Sequence, residues 1–153
     1  MRSRSIAQDS EIIEIIRSCL FCHIAMVDSG GRPYVIPMNF GFHDNIIYMH
    51  GARMGKKISI LSQNPDVCVN FSTDHALRYQ NEDVACSWSM KYRSVLAYGQ
   101  AEFISDPDEK TAALHIIMNH YSDKSFKFNP PSVREVSVWK IRVTKTEGRA
   151  FGY

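Results

Sequence analysis

The chain has 153 residues, a length that fits one domain able to bury its own core. Hydrophobic residues are 44% and charged residues 22% of the total, ordinary values for a globular protein. The net charge is only +2, from 18 basic and 16 acidic residues, with no long run of like charge, so neither nucleic acid nor an anionic membrane is expected as a partner.

The N-terminus, Met1-Arg2-Ser3-Arg4-Ser5, is basic, but Gln8, Asp9, Glu11 and Glu14 interrupt any apolar stretch of signal-peptide length. No segment approaches the roughly 20 apolar residues of a membrane span. The cytoplasm is the expected compartment, and Cys19, Cys22, Cys68 and Cys86 are expected to be reduced.

Asp9 or Ser10 is placed to cap a first helix lined by Ile12, Ile16 and Cys19. Phe21 to Val27 reads as a strand, Asp28-Ser29-Gly30-Gly31 as a turn, and Tyr34 to Phe42 as the returning strand. Pro37 cannot donate to a ladder, which suggests an edge position or a bulge there. His43-Asp44-Asn45 is a second turn, followed by a short strand, Ile46-Ile47-Tyr48-Met49. A loop with Gly51 and Gly55 leads into a helix from Lys56 to Gln63, stopped by Asn64-Pro65. Val67 to Phe71 is a strand, and the polar residues 72–83 read as a loop. Val84 to Trp88 and Tyr92 to Ile104 read as strands, with Gly99 a bend or bulge in the second. Asp106-Pro107-Asp108-Glu109 opens a helix, with Asp106 as cap, Pro107 in the first position and Glu109 completing a capping box. Asn129-Pro130-Pro131 breaks the chain, and Val136 to Val143 is the last strand before a short tail. Strands joined by tight turns outnumber helices without regular strand–helix alternation. The pattern predicts a mainly β protein, an antiparallel sheet closed into a barrel with a few packed helices, in a single domain over 1–153.

The segment from His50 to Ile58 carries the most chemistry. Lys56 and Lys57 fall in the first turn of the predicted helix, where cations oppose the helix dipole at a cost of roughly a few tenths of a kcal/mol each. A bound anion reverses that sign, and free backbone N–H groups, a flexible glycine and two ammonium groups together suit a phosphate. A solvated lysine pair is the alternative. The Walker pattern G-x-x-x-x-G-K-[ST] is absent. Arg93 and Ser94 precede an apolar strand and suit the polar end of a ligand cleft, or else are surface residues beside a strand. Cys19-Leu20-Phe21-Cys22-His23 matches the c-type haem attachment pattern, but that chemistry needs export, and zinc would need a second ligand pair; core packing is the simpler role. Among six histidines, His50 stands out, because it ends an apolar strand beside the phosphate-type loop. It is placed either to exchange a proton or to hydrogen-bond a carbonyl and cap the strand.

Taken in order, Gly31-Arg32-Pro33-Tyr34-Val35-Ile36-Pro37-Met38-Asn39-Phe40, Ile47-Tyr48-Met49-His50-Gly51-Ala52 with Gly55-Lys56-Lys57, Asn64-Pro65-Asp66-Val67-Cys68, Tyr92-Arg93-Ser94-Val95 and Gly99-Gln100-Ala101-Glu102 resemble the pyridoxamine-phosphate-oxidase-like split-barrel flavoproteins, nearest to their nitroimidazole-resistance branch. The resemblance spans about residues 8–150. It implies a six-stranded antiparallel split barrel and a homodimer with FMN between the subunits. By that likeness Pro37, Met38 and Asn39 pass the isoalloxazine ring, and His50 and Gly51 lie next to the flavin. Lys56 and Lys57 hold the phosphate, and Arg93 and Ser94 contact the flavin or its phosphate tail. Trp139 matches a flavin-contacting tryptophan of the oxidases only loosely and is otherwise a core residue. The Arg-His-Asp-Arg-like C-terminal pattern of the true oxidases is absent after Trp139, so oxidation of a B6 vitamer is not implied.

The implied function is FMN-dependent reduction of a small aromatic or nitro-aromatic compound, with His50 as the catalytic residue. A non-catalytic flavin-binding or sensor protein is one alternative, and a haem-binding split barrel is another. Fold alone does not choose among them.

Overall fold

In a computed structural model, which describes residues 2–153, nine strands and four helices are seen. The strands are β1 (Ser3–Ile6), β2 (Cys22–Val27), β3 (Pro33–Met38), β4 (Gly41–His43), β5 (Ile46–Ala52), β6 (Asp66–Arg78), β7 (Ser89–Phe103), β8 (Val136–Arg142) and β9 (Lys145–Phe151). The helices are α1 (Asp9–Ser18), α2 (Lys56–Gln63), α3 (Pro107–Tyr121) and α4 (Pro130–Arg134). All strand pairings are antiparallel, in the order β3-β2-β6-β7-β8-β5-β4, with β9 bonded to β7 and β1. The mainly β, split-barrel expectation holds, with nine strands rather than six.

The fifteen-residue β7 joins the two halves. One edge pairs with β6 from Ser89 to Gln100. The other pairs with β9 from Tyr92 to Tyr98 and then with β8 from Ala101 to Phe103. Gly99 lies where the second edge changes partner. A Cβ there would stand 2.4 Å from the Arg142 carbonyl oxygen and 2.8 Å from Ile141 Cγ2, so only glycine admits the crossing chain.

Two apolar clusters result. The larger fills the barrel, with Ile24, Ile47, Met49, Val69, Phe71, Val95, Trp139 and Ile141 all at zero exposure. Helix α1 adds Ile12, Ile15 and Ile16 to it, and α2 adds Ile60 and Leu61. The smaller lies between β5, β8 and α3, around Leu114, Ile117, Val133 and Val138.

Several local expectations are corrected. Gln8, not Asp9 or Ser10, occupies the α1 N-cap, and no side chain caps it; Asp9 and Glu11 instead lie in the first turn, where carboxylates suit the dipole. Asp106 accepts from the Glu109 amide at 2.8 Å, but the Glu109 carboxylate binds Lys140 at 2.6 Å and does not return to close a box. The expected strand over 34–42 is two strands. The Phe40 amide donates to the Tyr121 hydroxyl at 3.1 Å, and Gly41 lies so close to the α3 backbone that a Cβ would meet Ile116 at 2.7 Å. Residues 84–88 form a 3-10 turn at Ala85–Ser87, not a strand, and 72–78 continue β6 rather than loop. Asn129 caps the short α4 by accepting from the Ser132 amide at 2.8 Å, where only a break was expected. Pro37 does lie on the edge strand β3, and Asp44 and Asn45, at φ 48° and 59°, make the expected tight turn.

Beyond Tyr92, β6 and β7 continue as a two-stranded ribbon, with Ala76, Leu77 and Arg78 opposite Lys91, Met90 and Ser89. Directly opposed residues share a face, so Leu77 and Met90 form an apolar pair, both about half exposed at 56% and 45%. Tyr79 and Trp88 stack next to them, 4.2 Å apart. The Trp88 indole donates to the Glu82 carbonyl at 3.0 Å, and the Ser87 hydroxyl to the Asn81 carbonyl at 2.6 Å.

Replacing Gly99 with alanine forces a methyl into backbone. The variant is expected to lose about 1–3 kcal/mol of stability, the usual cost of overpacking, read as a lower urea midpoint with an unchanged slope.

Candidate functional site

The sequence-predicted residues gather in three places. The first is the end of β5 and the start of α2. Strand β5 pairs with β8 so that His50 faces Val138 and Gly51 faces Ser137. The chain then crosses to Gly55, whose φ of 135° suits glycine alone and which caps α2 with no side-chain bond. The first amide of α2 to find a backbone partner is that of Ser59, on the Gly55 carbonyl at 3.0 Å. The amides of Lys56, Lys57 and Ile58 therefore point out of the helix, and no carboxylate lies in its first turn.

The two lysines differ. Lys56 is exposed, and its ammonium lies 4.4 Å from the centre of the Tyr34 ring on β3. Lys57 is half-buried and folds back over Gly51. A Cβ on Gly51 would sit 2.7 Å from Lys57 Cε, 3.4 Å from Nζ and 3.6 Å from Cη2 of Trp139. A purely solvated pair describes Lys56 but not Lys57. Half-buried His50 has no side-chain hydrogen bond among the described residues, so the carbonyl-capping role is not what the structure displays. Burial, and then the Lys57 ammonium, hold its imidazole below the ordinary value of 6.5, so it is neutral at pH 7.

The second place is an open cleft of about 660 Å³ beside the β2–β3 edge, lined by Pro37, Met38 and Asn39 with Leu20, Phe21 and His23. The Phe21 and His23 rings meet edge to face at 5.5 Å, and Leu20 and Phe21 are exposed apolar residues. In contrast, Cys19 and Cys22 are buried. Their thiols donate to the carbonyls of Ile15 and Met38, and burial pushes Cys22 up to about 12. They pack the core and are not presented for haem attachment.

The third place is β7. Neighbouring residues in a strand point to opposite faces, and Arg93 and Ser94 do so. Arg93 reaches Asp74 at 3.2 Å, lies over the Tyr153 ring at 4.8 Å, and lines a cleft under α1 with Glu11 and Glu14. Ser94 stands opposite Ser72 of β6 and Arg149 of β9, on the outer face of the sheet. Trp139, the looser match, is fully buried between Met49 and Phe103, and its indole nitrogen has no partner among the described residues. Tyr34, Asp74 and Tyr153, which engage the site cations, carry no local signal in the sequence. Their contacts are made by sheet pairing and by the chain's end folding back.

Among the described residues no group of His, Cys, Asp and Glu is arranged to hold a metal ion, and no helix is long and apolar enough to cross a membrane.

Comparison with known proteins gives a family and several similar structures. Residues 8–150 match the family described as pyridoxamine 5'-phosphate oxidase. A candidate 5-nitroimidazole antibiotic resistance protein from Bacteroides thetaiotaomicron is 40% identical, with a TM-score of 0.89 over 98% of this chain and 88% of its own. The flavocytochrome Anf3 from Azotobacter vinelandii, 19% identical, superposes with a TM-score of 0.82 over 99% of this chain and 70% of its own. An FAD-binding protein from Mesorhizobium loti, 20% identical, gives 0.72 over 99% and 100%. No curated protein matches the sequence.

The atom that a Gly51 methyl would meet is the far end of a flexible side chain. Gly51→Ala should therefore stay within about 0.5 kcal/mol of the parent while displacing Lys57. The His50 imidazole should then titrate higher, as NMR of its ring protons would show. The sign for stability follows from the lowered proton affinity in the folded state. The contribution of His50 is complete above pH 6.5 and is lost as pH falls below that value, because the unfolded chain takes the proton more readily.

Proposed function

The chain belongs to the pyridoxamine 5'-phosphate oxidase family, and from that premise we propose that it binds FMN and uses it to reduce a small aromatic or nitro-aromatic compound. The observation that carries the reading is the start of α2. Three amides without a partner among the described residues, a first turn without a carboxylate, and two lysines meet at a glycine-capped helix end, a donor set that fits a phosphate monoester. The 40% identity to a candidate 5-nitroimidazole resistance protein supports the class of acceptor.

Bound flavin would carry electrons from a reduced donor to the acceptor. The chain's own residues supply the rest. Lys56 and Lys57, with the α2 amides, hold the phosphate. Gly51 lets the backbone come close to the ligand. His50, whose side chain makes no hydrogen bond among the described residues, would hold or move a proton at its ring nitrogen. Pro37, Met38 and Asn39 line the flank where the ring system would lie, with Phe21 and His23 beyond. Ser94 and Arg93 serve a flavin only from opposite sides of the sheet, and the Asp74 contact holds Arg93 away from the outer face.

A second copy completes this arrangement. The outer face of β2, β6 and β7 presents Ala25, Cys68, Asn70, Ser72, Ser94 and Leu96, all uncharged, flanked by exposed Val27 and Val35. A face uncharged at its centre, bordered by Asp66 of β6 and by Glu147 and Arg149 of β9, suits an isologous contact. The homodimer reading predicts twice 17.5 kDa by light scattering. Asn70→Arg, at the centre of that face, should give the monomer mass.

Titration with FMN and riboflavin tests the cofactor assignment. Replacing Lys56 and Lys57 with glutamate should weaken FMN by about 10²-fold or more, since each contact to a charged group contributes roughly 1.5–3 kcal/mol. Riboflavin, which lacks the phosphate, should change little. A parent protein that stays colourless with added FMN, or equal losses for both ligands, would reject it. His50→Ala should keep most FMN affinity and slow acceptor reduction by about 10²-fold or more in stopped-flow traces. An unchanged rate would return His50 to a structural role.

A further inference from the structure

The β6–β7 ribbon runs on past the end of β9, and an open groove of about 470 Å³ is lined by both, within the roughly 300–1,000 Å³ of small-ligand sites. Its walls carry two kinds of side chain. Tyr79 and Trp88, stacked 4.2 Å apart at the ribbon tip, and Phe151 at the end of β9 are aromatic. Arg78 and Lys91 are cations. We propose that this groove binds a nucleoside phosphate, with the base against the Tyr79–Trp88 pair and the phosphate held by Arg78 and Lys91. The groove shares no residue with the start of α2, and the proposal does not rest on the flavin reading.

Strand pairing sets the two cations on one face of the ribbon. Arg78 stands opposite Ser89 and Lys91 opposite Ala76, so the cations form a diagonal pair, a spacing of about 7–8 Å. Leu77 and Met90, the pair between them, point to the other face. Arg78 is exposed and makes no hydrogen bond or ion pair among the described residues. Lys91 lies 3.7 Å from the centre of the Tyr153 ring, whose hydroxyl donates to the Asp74 carbonyl at 2.6 Å. Neither cation is paired with a carboxylate among the described residues. Two like charges at this spacing repel, and an anion between them replaces the repulsion with two attractions. The planar fork of a guanidinium matches the oxygens of a phosphate.

The aromatic wall supplies the other half of the recognition. Trp88 and Tyr79 are 36% and 50% exposed, leaving large apolar rings in water. The Trp88 indole N–H is already bound to the Glu82 carbonyl at 3.0 Å, a bond that fixes the ring and leaves stacking as its contact with a ligand. The acidic residues of the tip, Glu82 and Asp83, are not part of the groove lining. Stacking accepts any base, because every base has a π face, so the charge on the ligand and not the identity of its base is what the groove selects.

The test is NMR of the full chain titrated with AMP and with adenosine, reading the two indole N–H signals. Trp88→Phe assigns them, and buried Trp139 serves as the internal reference. AMP should move the Trp88 signal and leave that of Trp139 in place. Adenosine should bind about tenfold or more weakly, the loss of a charged contact. Arg78→Glu should weaken AMP by about tenfold or more and leave adenosine unchanged, and Arg78→Lys should restore most of the difference. The Lys56→Glu, Lys57→Glu double variant should bind AMP as the parent does. The proposal is overturned if millimolar AMP leaves Trp88 unmoved, or if AMP and adenosine bind equally. It is overturned as well if the lysine double variant loses AMP, which would place the phosphate at α2. A Trp88 signal that moves with protein concentration and not with AMP would give the groove to a second copy of the chain and overturn it too.

Discussion

Strand β7 is hydrogen-bonded along both edges, and everything else is arranged around that fact. A buried strand must satisfy every amide and carbonyl, and β7 does so with three partners: β6 on one side, β9 and then β8 on the other. The change of partner brings the Arg142 carbonyl so close that residue 99 has no room for a side chain. Strand β8 in turn carries β5 in register over seven residue pairs, and β5 delivers His50 and Gly51 to its far end. The candidate site is thus held in place by ladder bonds running back to the middle of the sheet, with its residues on either side of the loop between β5 and α2.

That arrangement separates rigidity from charge. Trp139, Met49 and Ile47 form a packed wall beneath the end of β5, with no exposure. Beside the wall, Lys57 folds back over Gly51. Lys57 has neither an ion pair nor a hydrogen bond among the described residues, whereas Lys140 and Lys145 each hold a carboxylate at 2.6 Å. Leaving a half-buried cation unpaired is unfavourable.

Much of this was legible in the sequence, and for physical reasons. Helix α2 shows its bounds through Gly55 and Asn64-Pro65, and the two lysines at its start are an anomaly that the helix dipole makes visible. The edge position of β3 follows from Pro37 needing no ladder partner on one side. What was not legible depends on partners distant in sequence. Ser3–Ile6 is polar and basic, and it becomes a strand only because β9 presents an open edge. Residues 72–78 read as loop because the ribbon they enter is solvated on one face and so lacks buried alternation. Val84 to Trp88 has a strand's composition, yet the bonds from Ser87 and Trp88 to Asn81 and Glu82 wind it into a turn. Arg93 and Ser94 are neighbours in sequence, but the alternation of a strand sends them to opposite faces.

The chain carries only two tryptophans, and the fold gives them opposite surroundings. Trp139 is enclosed as part of the wall under Gly51, its N–H without a partner among the described residues; Trp88 is partly in water, stacked on Tyr79 at the tip of the ribbon. Emission from the first is therefore blue and tracks the packing of the barrel, while emission from the second is red and tracks what touches the ribbon. A single fluorescence spectrum of this protein accordingly holds two separable signals, one from the packed barrel and one from the ribbon.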